Sequence, residues 1–146
     1  MLKIFFLLKR TNDRKGSLEY ITIANPKIAK IENDTWGSRY ACELYLSDIK
    51  YNHPPIYGTN PIDAFGLALE IAKVYLQGLI TNGCTILDGE SREPWKLEKG
   101  KSLSERISEI KNSKDITPED KQKILGILKD SFGKIPHMKD QLDKLV

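Results

Sequence analysis

The stretch Asn60-Pro-Ile-Asp-Ala-Phe-Gly-Leu-Ala-Leu-Glu-Ile-Ala-Lys-Val-Tyr-Leu-Gln-Gly-Leu-Ile80 decides the fold. Asn60 is a favourable N-cap, Pro61 suits the first helical position, and Asp63 adds a negative charge to the first turn. Apolar residues follow at helical spacing around most of the circumference, and charged side chains are rare. We therefore predict a helix over 61–80 that is used up in holding the protein together, which leaves the outer surface to carry the function.

Upstream of this helix, the patterns predict a sheet. Residues 2–9 are apolar on both faces of a strand, which is typical of a central strand. A short polar turn separates them from a second predicted strand, Leu18–Ala24, so the two should form an antiparallel hairpin. A short edge strand is expected at 27–32, a longer strand over Arg39–Leu46 and a last one over Cys84–Leu87. Alternation in the longer strand places Tyr40, Cys42, Leu44 and Leu46 on one face.

The composition changes to charged, amphipathic helix from about residue 96. Ser102 begins a capping box, Thr117 precedes a second helix, and Pro136 opens a short final one. The predicted fold class is therefore α+β: an antiparallel sheet of four to five strands carries one long apolar helix. The predicted domains are a core over 1–97 and a helical extension over 98–146 that packs on the core.

Composition and charge narrow the class of protein. The chain is 40% hydrophobic, which is ordinary for a folded protein, and its net charge of +3 draws it to neither nucleic acid nor an anionic membrane. Residues 32–95 nevertheless carry nine acidic against four basic side chains, which favours a basic partner. Two cysteines make no disulfide framework, and no stretch approaches the roughly 20 apolar residues of a membrane span. We expect a cytoplasmic protein with no membrane partner.

No motif with recognisable chemistry is present. His53 and His137 are far apart, nothing resembles a zinc-binding spacing, and no glycine-rich phosphate loop occurs. A Cys–His pair of Cys42 or Cys84 with His53 is conceivable, but a thiol on the apolar face of a strand is usually inert. We therefore predict no catalytic residue, no metal ligand and no cofactor.

A run of aromatic residues indicates an interaction surface. Tyrosine and tryptophan anchor interfaces because they offer a large area with few rotatable bonds, and Pro54-Pro55 should stiffen the loop that carries several of them. The competing interpretation is that these side chains merely cover the rim of the sheet. The predicted partner-binding residues are Glu43, Tyr45, Asp48, Tyr51, His53 and Tyr57.

One segment has a family resemblance. Trp36-Gly-Ser-Arg-Tyr-Ala-Cys42, followed by Gly58 and Asn60-Pro-Ile-Asp-Ala-Phe-Gly-Leu-Ala-Leu69, resembles a family of small bacterial proteins of unknown function. That family carries a Trp and a Cys on a strand, then a Gly and an Asp-x-x-x-Ala-Leu helix start. Proteins of this type are similar in build to toxin-immunity proteins. The resemblance implies an inhibitor that neutralises a cognate toxin by direct binding, with a basic toxin domain suited to the acidic middle region.

Two other functions stay open at this point. A small enzyme or ligand-binding protein would need a pocket between the sheet and the helix at 61–80, where titratable groups converge. A nucleic-acid accessory protein would need a basic stripe with interleaved aromatic residues. Nucleic acid is disfavoured, because the basic residues of the first turn, Lys9, Arg10, Arg14 and Lys15, have no aromatic residue among them.

Overall fold

A computed structural model describes residues 1–29, 40–97 and 103–133, together with Lys139 and Leu142. The chain divides into two compact units, Met1–Leu97 and Glu98–Val146. The first unit contains an antiparallel five-stranded sheet, a smaller three-stranded sheet and one long helix, and the second unit is helical. The predicted α+β class is therefore confirmed.

The central strand of the larger sheet is β1, Leu2–Lys9. It pairs antiparallel with β2, Ser17–Ile23, in the predicted hairpin, and on its other side with β8, Thr85–Asp88. Next to β2 lies β5, Leu44–Leu46, and β6, Tyr51–Asn52, forms the far edge. The order across the sheet is β6-β5-β2-β1-β8.

The strand predicted over Arg39–Leu46 is interrupted at Glu43. Its described part forms β4, Tyr40–Cys42, in the smaller sheet, and β5 in the larger one. The partner strands are interrupted at the same level, because Pro26 and the pair Pro54-Pro55 have no backbone N–H to donate. The smaller sheet has the order β3-β4-β7, with β3 at Lys27–Ile28 and β7 at Ile56–Gly58.

Backbone hydrogen bonds carry the pairing across these breaks. The N–H of Ala24 donates to the carbonyl of Glu43 over 2.9 Å, and the N–H of His53 donates to the carbonyl of Leu44 over 2.9 Å. The two sheets therefore form one bent surface, and the bend lies at the prolines.

The long helix α1 spans Pro61–Thr81, as predicted. The side chain of Asn60 accepts a hydrogen bond from the N–H of Asp63 over 2.9 Å, which caps the first turn. The helix packs on both sheets and contacts β7, β4, β2 and β8. It comes closest at Gly58, where an added Cβ would lie only 2.3 Å from the backbone nitrogen of Ala64.

Helix α1 is less fully buried than its sequence predicts. Its inward side chains are Ala64, Ala68, Ala72, Tyr75, Leu76 and Leu79, but Ile62 is 83% exposed, and Leu67, Leu69 and Ile80 are also exposed. Gly66 lies on an open side of the helix, because nothing lies within 4 Å of where its Cβ would be. The apolar stretch is therefore only partly used in holding the protein together.

One expectation about membranes is wrong. Helix α1 is long and apolar enough to cross a bilayer by length and composition, although no stretch was expected to approach that limit. Less than half of its apolar window is buried. Core helices of soluble proteins pass the same test, so a single helix of this kind is weak evidence for a membrane span.

The second unit contains two described helices, α2 over Leu103–Asn112 and α3 over Pro118–Phe132, which pack against each other. The hydroxyl of Thr117 caps α3 by accepting from the N–H of Asp120 over 3.2 Å. The predicted capping residue Ser102 and the predicted helix start at Pro136 lie outside the described residues. Buried apolar side chains of this unit include Ile107, Leu125, Phe132 and Leu142.

Candidate functional site

The larger sheet has two faces with different surroundings. Helix α1 covers the inner face, where the buried side chains are Phe6, Leu8, Ile21, Ile23, Leu44, Leu46 and Ile86. Alternation along the strands and the pairing register place the other side chains on the opposite face. We call this surface the outer sheet face, and its strand residues are Lys3, Phe5, Leu7, Lys9, Leu18, Tyr20, Thr22, Tyr45, Asn52, Thr85 and Leu87.

A row of three aromatic rings crosses the outer sheet face from β1 to β5. The register sets Phe5 directly opposite Tyr20, with ring centroids 6.0 Å apart, and Tyr20 lies 5.9 Å from Tyr45. The ammonium of Lys3 lies over the ring of Tyr20 at 4.2 Å and over that of Phe5 at 5.1 Å. Each contact of this kind contributes about 0.5–1 kcal/mol at an exposed site, so the row is ordered without a cover.

The aromatic row belongs to a larger exposed apolar patch. Phe5 is 47% exposed and Leu18 is 59% exposed, although both lie in the middle of the sheet rather than on a loop. Leu7 is half-buried between Leu18 on β2 and Leu87 on β8, and Leu87 is half-buried as well. Contiguous exposed apolar surface on a folded protein marks an interaction site more often than scattered single residues do. The outer sheet face is therefore the candidate functional site.

The charge of the outer sheet face has one sign. Its strand positions include Lys3 and Lys9 and no aspartate or glutamate. The adjoining turn between β1 and β2 adds Arg14 and Lys15, both exposed, against Asp13, while Arg10 pairs with the inward Asp48. Acidic residues border the face, because Glu43 precedes β5 beside Ala24 and Glu90 follows Gly89, which lies against Phe5.

Four of the predicted partner-binding residues are exposed or half-buried, namely Glu43, Tyr45, Tyr51 and Tyr57, but they do not form one surface. Tyr45 is half-buried and belongs to the aromatic row. Glu43 is exposed at the junction of β4 and β5. Tyr57 is exposed in β7 of the smaller sheet, opposite Ala41. Of the six, Tyr45 is the one that the structure places on the outer sheet face.

Asp48 points inward from a turn of 3-10 helix, Ser47–Ile49. Its side chain is only 1% exposed, and it accepts a hydrogen bond from the hydroxyl of Tyr75 on α1 and lies 3.7 Å from Arg10. Burial raises the pKa of Asp48 above its usual value, although Tyr75 and Arg10 act in the opposite direction. Burial, followed by the hydrogen bond to Asp48, raises the pKa of Tyr75.

This pair ties α1 to the sheet rather than forming an open pocket. The neighbouring Ser47 hydroxyl accepts from the N–H of Tyr20 over 2.7 Å and donates to Glu19 over 2.6 Å. The other inward side chains of α1 are apolar. Asp48, Tyr75 and Arg10 do converge between α1 and the sheet, as the ligand-binding alternative requires, but their polar groups bind one another. Oδ1 of Asp48 is buried without a hydrogen-bond partner among the described residues.

His53 is also turned inward. Its Nδ1 lies 2.6 Å from the carbonyl of Pro54, and its ring meets the ring of Tyr51 edge-on at 6.1 Å. Burial lowers the pKa of His53, so the neutral ring is favoured at pH 7. Neither His53 nor Asp48 presents a surface to a partner in this conformation, and a partner-binding role for them stays a prediction.

The thiol of Cys42 is not activated as a nucleophile. Cys42 is buried, its thiol donates to the carbonyl of Ala24 over 3.0 Å, and burial, with a smaller effect of Glu43, raises its pKa. A raised pKa disfavours the thiolate, which is the nucleophilic form. No cluster of three or more metal-ligating side chains is found within the described ranges.

The residues that sequence reasoning missed are Lys3, Phe5, Leu18 and Tyr20. Residues 2–9 were expected to form a central strand because both faces are apolar, but Phe5 on one face of β1 is exposed while Phe6 on the other face is buried. The sequence contains part of the evidence for this face, because alternation along β2 places Leu18, Tyr20 and Thr22 on the same side of the strand. What was missing was the register that sets this face beside Phe5 and Lys3.

Comparison with known proteins finds no match among protein-family models, curated proteins or solved structures. The resemblance to a small bacterial family therefore gains no support from them, and the function has to be argued from the site itself.

Proposed function

We propose that the chain is a protein-binding module that presents the outer sheet face to a partner protein, in the manner of an immunity protein that neutralises a cognate toxin. The single observation that carries the proposal is the row of aromatic rings on a hydrogen-bonded sheet, where Phe5 is exposed and Tyr20 and Tyr45 are half-buried. Aromatic anchors at the centre of an interface contribute much of its binding energy. A surface that is ordered before binding also loses less conformational entropy on association.

The edges of the sheet favour binding through the face rather than by strand addition. Beyond β8, the N–H of Asp88 donates to the carbonyl of Glu93 over 2.8 Å, and the N–H of Trp95 donates to the carbonyl of Ile86 over 2.9 Å. At the other edge β6 has two residues and is followed by Pro54-Pro55. A partner strand would find few free backbone groups at either edge.

The experiment is an affinity capture with matched variants. The double variant Phe5→Ser/Leu18→Ser removes two exposed apolar anchors, and Ile28→Ser removes one, 76% exposed, from the smaller sheet as the control. Loss of interface anchors costs at least about 2 kcal/mol, or about thirtyfold in affinity. We expect the wild type and Ile28→Ser to capture the same stoichiometric partner from the source cell, and the double variant to lose it. Circular dichroism and thermal unfolding check that each variant is folded.

Capture of the same partner by all three proteins would overturn the assignment of the outer sheet face. Capture of no partner at any expression level would overturn the protein-binding function. The immunity role has its own test: co-expression with the captured protein should relieve that protein's toxicity, and the double variant should relieve it less.

A further inference from the structure

The structure assigns a chemical class to the partner: we infer that the outer sheet face binds an acidic protein segment in which aspartate or glutamate alternates with apolar side chains. The inference rests on the proposed function and adds the sign of the partner's charge. It is opposite to the basic partner that the acidic composition of residues 32–95 suggests.

None of the described acidic residues of 32–95 occupies a strand position of this face. Asp48 is buried, Asp63 accepts hydrogen bonds from Thr59 and Asn60 at the start of α1, and Asp88 is engaged in its own turn. Glu43 and Glu90 lie at the borders of the face, and the charged residues at its strand positions are Lys3 and Lys9. Lys3 and Lys9 make no ion pair with any described residue, so both ammonium groups are available to carboxylates of a partner.

Charge and apolar surface are interleaved at short range. The ammonium of Lys3 lies within 4.2 Å of one ring centroid and 5.1 Å of another, and Leu18 is exposed beside Leu7 on the neighbouring strands. A partner segment that pairs a carboxylate with Lys3 would therefore bring its adjacent apolar side chains against Phe5 and Leu18. Complementary charges of this kind steer association and select the partner.

A protein segment fits this surface better than a single-stranded nucleic acid does. Base stacking needs an open ring face, but Lys3 already occupies the face of Tyr20, and the rings are tilted by 57° and 45° to their neighbours. Aliphatic Leu7, Leu18 and Leu87 complete the patch, and they offer a base no stacking plane. Side chains of mixed acidic and apolar character match both features.

The test is an NMR titration of the full-length ¹⁵N-labelled chain with three polymer probes. The probes are a random copolymer of glutamate and tyrosine, poly-lysine of similar length, and oligothymidylate. We expect the glutamate–tyrosine copolymer to shift the amide signals of Phe5, Leu18 and Tyr20, with an affinity that falls as salt is raised. Poly-lysine should leave these signals in place.

Charge-reversal variants locate the effect. Lys3→Glu/Lys9→Glu should weaken binding of the copolymer about tenfold or more, because two ion pairs become repulsions. The control Lys27→Glu/Lys73→Glu changes the net charge by the same amount, on the smaller sheet and on helix α1, and should leave the affinity within about twofold.

Three results would overturn the inference: the absence of shifts with the copolymer, an equal loss of affinity in both double variants, or tighter binding of oligothymidylate at the same residues. The last result would assign the face to nucleic acid. The inference and the proposed function fail separately. If capture of the partner depends on Phe5 and Leu18 but the partner binds through a basic surface, the inference is wrong and the proposed function is supported. If the copolymer binds at the face but no protein is captured, the inference is supported and the proposed function is wrong.

Discussion

The two faces of the five-stranded sheet carry similar residues and have different surroundings. Phe6 and Phe5 are neighbours on β1, yet Phe6 is fully buried, with its ring 5.8 Å from that of Trp95, and Phe5 is 47% exposed. The difference shows that apolar character alone does not tell a core face from a binding face. Burial of the apolar side chains on the inner face stabilises the fold, whereas the apolar area of the outer face remains accessible to a partner.

The largest expected effect compares the two phenylalanines directly. Phe6→Ala should lower the free energy of unfolding by about 3–5 kcal/mol, because it opens a cavity in the core. Phe5→Ala should lower it by about 1 kcal/mol or less, because its ring is 47% exposed and its contacts with Tyr20 and Lys3 are weak. Urea unfolding followed by circular dichroism measures both. Equal costs would mean that the outer sheet face is part of the core.

The second comparison concerns two glycines, one at the contact between β7 and α1 and one on an open side of α1. Gly58→Ala should destabilise the protein by roughly 3 kcal/mol, because the new methyl group would overlap the backbone of Ala64. Gly66→Ala should stabilise it by about 0.5–1 kcal/mol, because the site is open and alanine is the better helix former. The same urea titrations measure whether each variant raises or lowers the free energy of unfolding. A stabilised Gly58→Ala would show that α1 does not approach β7 so closely.

The third comparison tests the polar tie between α1 and the sheet. Tyr75→Phe removes the hydroxyl that donates to Asp48 and leaves a buried carboxylate with less compensation, so it should cost about 1–3 kcal/mol at pH 7. Tyr57→Phe, which alters an exposed hydroxyl on β7, is the control and should cost a few tenths of a kcal/mol. Similar costs for the two variants would show that the Tyr75 hydroxyl is not a structural contact.

The pH dependence of the same tie follows from the raised pKa of Asp48. The folded state binds this proton more strongly than the unfolded state, whose pKa is near 3.8, so the contribution of Asp48 to stability is present at acid pH and declines as pH rises above 3.8 through the folded pKa. Asp48→Asn should remove that decline. Unfolding titrations between pH 4 and 7 should therefore show the stability of Asp48→Asn rising relative to that of the wild type as pH increases. A stability difference that does not change with pH would contradict the raised pKa of Asp48.

The smallest expected effect lies in the turn that closes the β8 edge. Backbone N–H groups of Ser91 and Glu90, with the indole of Trp95, hold the pKa of Asp88 at about 2. Because this pKa lies below the unfolded value of 3.8, the stabilisation is present above 3.8 and is lost as pH falls from 3.8 to about 2. Trp95 fluorescence in a Trp36→Phe background should report the turn opening in that window. Asp88→Asn should abolish the acid transition, and a transition that persists in the variant would place its origin elsewhere.

The sequence alone determined the elements whose signals are local. The cap at Asn60, the start at Pro61 and the apolar periodicity predicted α1 within one residue, and the polar turn after residue 9 predicted the β1–β2 hairpin. These signals depend on neighbours within a few positions, so they can be recognised without knowledge of the rest of the chain. The same holds for the α+β class, since it follows from the order of the elements.

Tertiary structure decided which side chains face water. The bend at Glu43, the inward turn of Asp48 and His53 and the open position of Phe5 all depend on which strands pair and which face the helix covers. A strand that is apolar on both faces has the same pattern whether one face or both are buried. The register that sets Phe5 and Lys3 against Tyr20 joins two neighbouring strands, and only the folded chain brings these side chains together.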